Sequence, residues 1–199
     1  MSTVIETIEY KGYEIEIHRD EDPESPRDWD NVSLMICFHK KYTLGDEHDY
    51  QHDNFDGWDA VEAQLREDYE VEALLPLYLY DHSGITMNTT GFSCGWDSGQ
   101  VGFVIATKKL VTMCCGDDPK YHEEKWLEEQ LVEDIKLYSQ FHRGDVVGYT
   151  TNTPDESSCW GYYSEEDAIS DAKSGIDFQA KKDQLKMYWN SMEFVGMFA

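Results

Sequence analysis

Basic residues are scarce in this sequence. The 199-residue chain carries 16 Lys and Arg residues against 41 Asp and Glu residues, which gives a formal net charge of -25. A surface with this excess of negative charge repels nucleic acid and anionic lipid and attracts basic surfaces. We therefore expect no direct nucleic-acid partner, no membrane partner, and a basic protein surface as the partner. Simple solubility, or adaptation to a salty host, is the alternative explanation of the charge.

Long apolar runs and ordered cysteine patterns are also missing. No apolar stretch approaches the length of about 20 residues that spans a membrane. The N-terminus has no basic segment followed by an apolar one, so we expect no secretory signal and a cytoplasmic location. The cysteines are irregularly spaced without a C-x-x-C pair, which argues against a disulfide framework or a thiolate zinc site: Cys37, Cys94, Cys114, Cys115 and Cys159.

Hydrophobic periodicity predicts both strands and helices. Alternation on both sides of "YKGY" is typical of a β-hairpin, and the apolar run "VSLMICFH" is typical of a buried strand. Helical spacing is found in "GWDAVEAQLREDYE" and in the stretch that starts at "DDPKYHEEKW", where Leu127, Leu131 and Ile135 form an apolar stripe. Further predicted elements are a strand starting near Pro76, strands over "GITMNTT" and "QVGFVIATKKLV", a hairpin over "DVVGYTTNTPDESSCWGYYS", and two helices over "SEEDAISDAKS" and "DFQAKKDQLKMYWNSMEF".

These elements predict an α+β fold, with a largely antiparallel sheet and three to four helices packed on it. Strands come in runs that helices interrupt, rather than in strict alternation with them. The expected domain organisation is an α+β core over residues 1–163 and a helical C-terminal appendage over 164–199, which can also belong to the same domain.

Carboxylates are concentrated on the predicted helix near residue 121. Carboxylates four residues apart on a helix rise by about 6 Å per step, and phosphates along one DNA strand by about 3.4 Å, so a row of carboxylates imitates a phosphate row coarsely. The predicted partner contacts are the acids placed opposite or beside the apolar stripe: Glu124, Glu128, Glu129, Glu133 and Asp134. A second set consists of Asp56, Asp59 and Glu62. A solvated helix face without a partner is the alternative.

Two histidines among acids raise the question of a metal site. His48 and His52 are four residues apart and are flanked by acids such as Asp53. The spacing does not match H-E-x-x-H, and an EF-hand alignment on Gly57 puts non-ligating residues at its key positions. We therefore expect no dedicated metal site and no cofactor, and His48, His52 and Asp53 are the residues that would hold a metal if one bound.

The stretch "GFSCGWDSGQVGF" holds groups that catalysis could use. Cys94 or Ser98 could act as a nucleophile with His82 as the base and Asp97 as the group that orients it. The order Gly-Trp-Asp-Ser-Gly differs from G-x-S-x-G, because the serine falls one place late. The alternative is a glycine-rich connection between strands, in which Asp97 and Ser98 bind local backbone N–H groups and Trp96 lies in the core.

Five stretches carry a resemblance: "SPRDWDN", "LGDEH", "LPLYLYDHSGITMNTTGFSCGWDSGQVGF", "GDVVGY" and "SCWGYYS". Together they span residues 25–163 and resemble an uncharacterised family of proteins from phages and other mobile elements of bacteria. The resemblance implies no catalytic residue. It implies a small accessory protein made inside an infected or plasmid-bearing bacterial cell. The acids of 46–72 and 117–134 fall mostly outside these stretches, so the charge is a separate addition to the shared scaffold.

Charge and resemblance together favour a binding protein over an enzyme. The hypothesis is an acidic inhibitor that imitates DNA and docks on a basic, nucleic-acid-handling host defence protein, of the anti-restriction or anti-CRISPR type. One alternative is a small hydrolase-like enzyme that uses Cys94 or Ser98 with His82 and Asp97. Another is a phage accessory protein without mimicry.

Overall fold

The computed structural model describes residues 3–196, with side chains up to Tyr188. Its helices and strands, in chain order, are β1 (Val4–Tyr10), β2 (Tyr13–Arg19), β3 (Ser33–Cys37), α1 (Trp58–Asp68), β4 (Val71–Asp81), β5 (Ile85–Asn88), β6 (Ser98–Thr107), α2 (Lys108–Cys115), α3 (Glu124–Arg143), β7 (Val147–Thr151), β8 (Ser158–Tyr162) and α4 (Glu165–Gly196). The predicted α+β class is confirmed.

The strands form two sheets rather than the single sheet that we expected. Both are antiparallel and four-stranded, with the orders β1-β2-β7-β8 and β3-β6-β4-β5. The chain divides accordingly into two compact units. The first unit combines residues 1–23 with 144–199, and the second comprises residues 24–143. Alternation and turn signals predict strands, but strand pairing across more than 100 residues leaves no local signal.

The first unit consists of the sheet β1-β2-β7-β8 with α4 packed on one face. Ala168, Ala172 and Ile176 are spaced four residues apart on α4 and contact the buried residues Ile15 and Ile17 of β2. The predicted β1–β2 hairpin is confirmed, and its turn residues Lys11 and Gly12 have φ angles of 51° and 82°, as two-residue hairpin turns require.

Helix α4 replaces the two separate helices expected at the C-terminal end. No proline interrupts the stretch between them, and the single Gly175 costs a helix only about 1 kcal/mol, so the helix continues through it. The side chain of Ser164 caps the start by accepting the Asp167 N–H at 3.3 Å. A separate domain over residues 164–199 stays a prediction; the described part of this segment packs on β2 and β7.

The second unit has three layers: α1, the sheet β3-β6-β4-β5, and α3. Alternating residues of the central strand β6 divide between the two faces. Phe103 and Ile105 contact the α1 side, while Val104 and Ala106 contact the α3 side. Gly102 lies opposite β3, where a Cβ atom would overlap the backbone carbonyl oxygen of Ile36, so only glycine fits there.

Two local expectations in this unit are wrong. Strand β4 starts at Val71 rather than near Pro76, and this proline is accommodated inside the strand, beside a register shift at Leu77 and Tyr78. The segment expected to continue β6 turns into α2, because the Thr107 side chain accepts the Leu110 N–H and starts a helix.

Within residues 3–196, no helix is both long and apolar enough to cross a membrane.

Candidate functional site

Helix α3 presents most of the predicted carboxylate row. Glu124, Glu128, Glu129 and Glu133 are exposed, while the stripe Leu127, Leu131 and Ile135 is buried against the sheet. Lys125 approaches Glu129 to 3.9 Å, and Lys136 approaches Glu133 to 3.0 Å. Over the described side chains, Glu124 and Glu128 form no ion pair, so the unneutralised charge is greatest in the first half of the helix.

Asp134 does not belong to this exposed row, and its expected position opposite the apolar stripe is wrong. The Ser33 hydroxyl donates to the Asp134 carboxylate at 2.5 Å. Burial raises the pKa of this carboxyl. On a helix, Asp134 lies about 60° from Leu131 and about 40° from Tyr138, which are both buried. It therefore stands at the edge of the buried stripe, and its contact with Ser33 turns it toward β3.

A shallow depression of about 630 Å³ lies beside the exposed row. Its apolar lining includes Leu75 and Val132, and Val132 is 42% exposed. Glu128, Glu129 and Glu133 also line the depression. The depression thus combines apolar surface with charged side chains, as protein interfaces do.

The second predicted acidic set lies on the opposite side of the sheet. Asp56 and Asp59 are exposed at the start of α1, and Glu62 pairs with Arg66 at 2.9 Å. Because α1 and α3 cover opposite faces of one sheet, a flat partner surface cannot contact both sets at once. The two acidic sets are therefore separate candidate surfaces.

Next to the α1 set is a cleft of about 490 Å³ lined largely by aromatic and histidine rings. Phe38 is its centre, because its ring lies 5.1 Å from the His48 ring, 5.6 Å from His52 and 6.0 Å from Trp58, measured between centroids. The Trp58 ring also meets the buried Phe103 edge-to-face at 5.9 Å. The cleft thus rests on the hydrophobic core of the α1 side.

His48 has a structural role in the wall of this cleft. Its Nε2 lies 2.9 Å from the carbonyl oxygen of Cys37. A carbonyl only accepts, so Nε2 carries the proton, and in the neutral ring Nδ1 has a free lone pair. This Nδ1 is buried and has no hydrogen-bond partner among the described residues. His52 instead contacts Trp58, ring to ring, at 4.9 Å.

The candidate ligands His48, His52 and Asp53 are not part of any ion-binding group that the structure describes. Among the described residues, no group of three or more His, Cys, Asp or Glu side chains is placed to hold an ion. The imidazole of His48 is directed to a backbone carbonyl and that of His52 to aromatic rings, while Asp53 is exposed at the cleft. Spacing of four residues brings two histidines together on a helix, but this segment is mostly irregular.

The catalytic candidates meet only in part. His82 Nδ1 lies 3.5 Å from Asp97 Oδ2, and both side chains are largely exposed. The Ser98 hydroxyl donates to the carbonyl of Cys94. No hydrogen bond joins His82 to Ser98 or to the half-buried Cys94 thiol in the part of the chain that the structure describes. A base is therefore present, but it engages neither nucleophile.

Residues 91–97 of the glycine-rich stretch form a largely exposed connection between β5 and β6, and residues 98–103 belong to β6. Trp96 is 97% exposed, so the expectation that it lies in the core is wrong. The expectation that Ser98 binds a backbone N–H is also wrong, because its hydroxyl is a donor to a carbonyl. The Asp97 backbone oxygen accepts the Asp81 N–H at 2.9 Å, which ties the loop to the end of β4.

The stretches "SPRDWDN" and "LGDEH" build one buried network. Arg27 of "SPRDWDN" donates to Asp46 of "LGDEH" from Nε at 3.0 Å and from Nη2 at 2.6 Å. It also donates to the hydroxyl and the carbonyl of Ser33. Asp46 accepts the Met35 N–H at 2.7 Å, and the Asp46 N–H donates to the Met35 carbonyl at 2.9 Å.

This network closes the free edge of β3, the outermost strand on its side of the sheet. Unpaired edges invite pairing with other chains, and a charged side chain that occupies the edge prevents it. Gly45 lies in the closing segment with φ of 72°, and a Cβ atom there would lie 2.5 Å from the Met35 carbonyl oxygen. Gly45 and Asp46 of "LGDEH" thus have a structural role at this edge.

Comparison with family models, with curated proteins and with solved structures finds no match to this chain.

Sequence reasoning missed the aromatic cleft. The sequence does contain an indication of this cleft, because aromatic residues are frequent between Phe38 and Trp58, where Tyr42, Tyr50 and Phe55 also occur. Its residues come from the end of β3, an irregular segment and the first residue of α1, so no single periodicity joins them.

Proposed function

We propose that this chain is an acidic binding protein that docks on a basic protein surface. The observation that carries the proposal is the exposed row Glu124, Glu128, Glu129 and Glu133 of α3, beside a depression to which Leu75 and Val132 contribute apolar surface. Exposed carboxylates speed the association with a positive surface. Buried apolar contacts add affinity that the charges do not supply.

The partner class that fits best is a nucleic-acid-handling protein. Such proteins carry a basic groove shaped for phosphates, and a net charge of -25 on 199 residues makes this chain a competitor for that groove. With the resemblance to phage and mobile-element proteins, this makes an inhibitor of a host defence effector, of the anti-restriction or anti-CRISPR type, the specific form of the proposal. The site of action is then the cytoplasm of the infected or plasmid-bearing cell.

The hydrolase alternative has weaker support. Its base and orienting acid, His82 and Asp97, are 3.5 Å apart, but the hydroxyl of Ser98 is directed to a carbonyl. A nucleophile without a base is a weak one at neutral pH, most of all a serine.

The test is capture from a bacterial lysate followed by measurement on the purified captured protein. The dissociation constant is measured at about 0.05 M and about 0.5 M salt, with and without competing double-stranded DNA. We expect binding to weaken steeply with salt, and DNA and this chain to exclude each other.

The structure supplies a charge-matched control. One variant changes Glu124, Glu128 and Glu129 to Gln. The control changes the exposed acids of the first α4 turn, Glu165, Glu166 and Asp167, to their amides, which removes the same formal charge. A loss of affinity confined to the α3 variant supports the proposal; equal loss in both variants, or salt-independent binding, contradicts it.

A further inference from the structure

The aromatic cleft next to the second acidic set has a chemistry of its own. We propose that the cleft formed by Phe38, His48, His52, Asp53 and Trp58 is the anchor site for an arginine side chain of the basic partner. This inference rests on the proposed function, and it requires a partner with a concave basic groove, because a flat surface cannot contact the α3 row and the α1 side together.

The rings are the first argument. Trp58 is half-buried and is held by an edge-to-face contact with Phe103, while Phe38 contacts both Trp58 and His52. Preorganised rings of this kind attract cations through their π faces, and the planar guanidinium group can also stack on them. Arginine and tryptophan are the residues that most often dominate interface energies.

The acceptors are the second argument. Asp53 contributes a carboxylate to the lining. Gln100 also lines the cleft, and its amide N–H donates to the carbonyl oxygen of Gly102 at 3.3 Å. Its amide oxygen is therefore the atom that could accept a hydrogen bond from a ligand. A guanidinium group carries five N–H donors and no acceptor, so it complements the carboxylate of Asp53 and the amide oxygen of Gln100.

The surrounding charge is the third argument. Asp49 and Asp59 are exposed and adjoin cleft residues in sequence, and Asp56 is exposed two residues before Trp58. The lining itself contains one ammonium group, that of Lys40. The cleft volume of about 490 Å³ is ample for one long side chain. A cation is therefore drawn to the cleft and held there by rings and acceptors, whereas a neutral side chain of the same shape gains only the ring contact.

The probe is N-acetyl-L-arginine amide, and the matched control ligand is N-acetyl-L-citrulline amide, which has the same shape without the charge. Binding to the full chain is followed by backbone and tryptophan-indole NMR shifts. We expect the arginine probe to shift signals of residues 37–40, 48–53 and 58, with the citrulline probe and the corresponding lysine amide clearly weaker. Equal shifts from arginine and citrulline, or arginine shifts that map elsewhere, overturn the proposal.

Two variants and a control locate the site. Trp58→Leu and Asp53→Asn should each raise the dissociation constant of the arginine probe, the former by at least about fivefold. Trp96→Leu removes a tryptophan that is 97% exposed on another loop and should change nothing. Asp53 is exposed, so its variant keeps the test decisive if Trp58→Leu fails to fold. Unchanged probe affinity in Asp53→Asn and in folded Trp58→Leu contradicts the assignment.

The two proposals fail separately. If the α3 variant loses its basic partner while the arginine probe ignores the cleft, the cleft inference is wrong and the binding function stands. If the probe binds the cleft but the chain binds no basic protein, the proposed function is wrong.

Discussion

The buried pair Arg27–Asp46 allows a quantitative prediction. The Arg27 side chain is 7% exposed and the Asp46 side chain 18%, and Asp46 accepts two guanidinium N–H groups and the Met35 N–H. Asp46→Ala leaves a buried cation without a counter-charge, which costs about 3–5 kcal/mol. For a chain of this length, that corresponds to a fall in Tm of roughly 6–20 °C.

The assay is urea denaturation followed by tryptophan fluorescence and circular dichroism. In an Arg27→Met background, Asp46→Ala should cost only about 1–3 kcal/mol, because the unpaired Met35 N–H is then the main loss. The exposed pair Arg66–Glu62 is the control, and Glu62→Ala should cost no more than about 0.5 kcal/mol. A cost below about 1 kcal/mol for Asp46→Ala would refute the edge-closing role of the network.

Three further predictions concern the second unit. Gly102→Ala should destabilise the chain by about 3 kcal/mol or more, because the new Cβ atom overlaps the Ile36 carbonyl oxygen. Gly99→Ala is the control in the same strand, and it should change the urea midpoint little, because nothing lies within 4 Å of a Cβ atom there. Equal effects of the two substitutions would contradict the close approach of Gly102 to β3. Burial lowers the pKa of His142, whose Nε2 lacks a partner among the described residues, so acidification below the unfolded-state pKa of about 6.5 protonates the unfolded chain first and removes stability. His142→Phe should therefore gain Tm relative to the parent as the pH falls from about 8 to about 5.5, and a pH-independent difference would refute this. Burial raises the pKa of the Cys37 thiol to about 12, so iodoacetamide should label Cys37 at about pH 8 only after unfolding, as peptide mass spectrometry can establish; rapid labelling of the native chain would contradict its burial.

Local patterns predicted the elements of this fold well and their assembly poorly. The stripe Leu127, Leu131 and Ile135 is buried as helical spacing predicted, because amphipathicity is recorded within one helix. The partition of strands into two sheets depends on pairs such as Ile17 with Tyr149, which are too distant in sequence for any local pattern to record.

The candidate site shows the same division. The exposure of Glu124 and Glu128 followed from helical geometry, whereas Asp134 is turned inward by its contact with Ser33, about 100 residues away in the chain. His48 was a ligand candidate by composition, but a backbone carbonyl of β3 occupies its Nε2. Long-range contacts, and not residue types, decide which polar groups remain available for a partner.

The most direct test of the central claim is the salt dependence of binding between this chain and its captured, purified basic partner. We predict that the dissociation constant rises by at least about tenfold between about 0.05 M and about 0.5 M salt. The rise should be smaller in the variant in which Glu124, Glu128 and Glu129 are neutralised. A dissociation constant that is unchanged over this range, in the parent chain and in the variant, would contradict an electrostatic binding role.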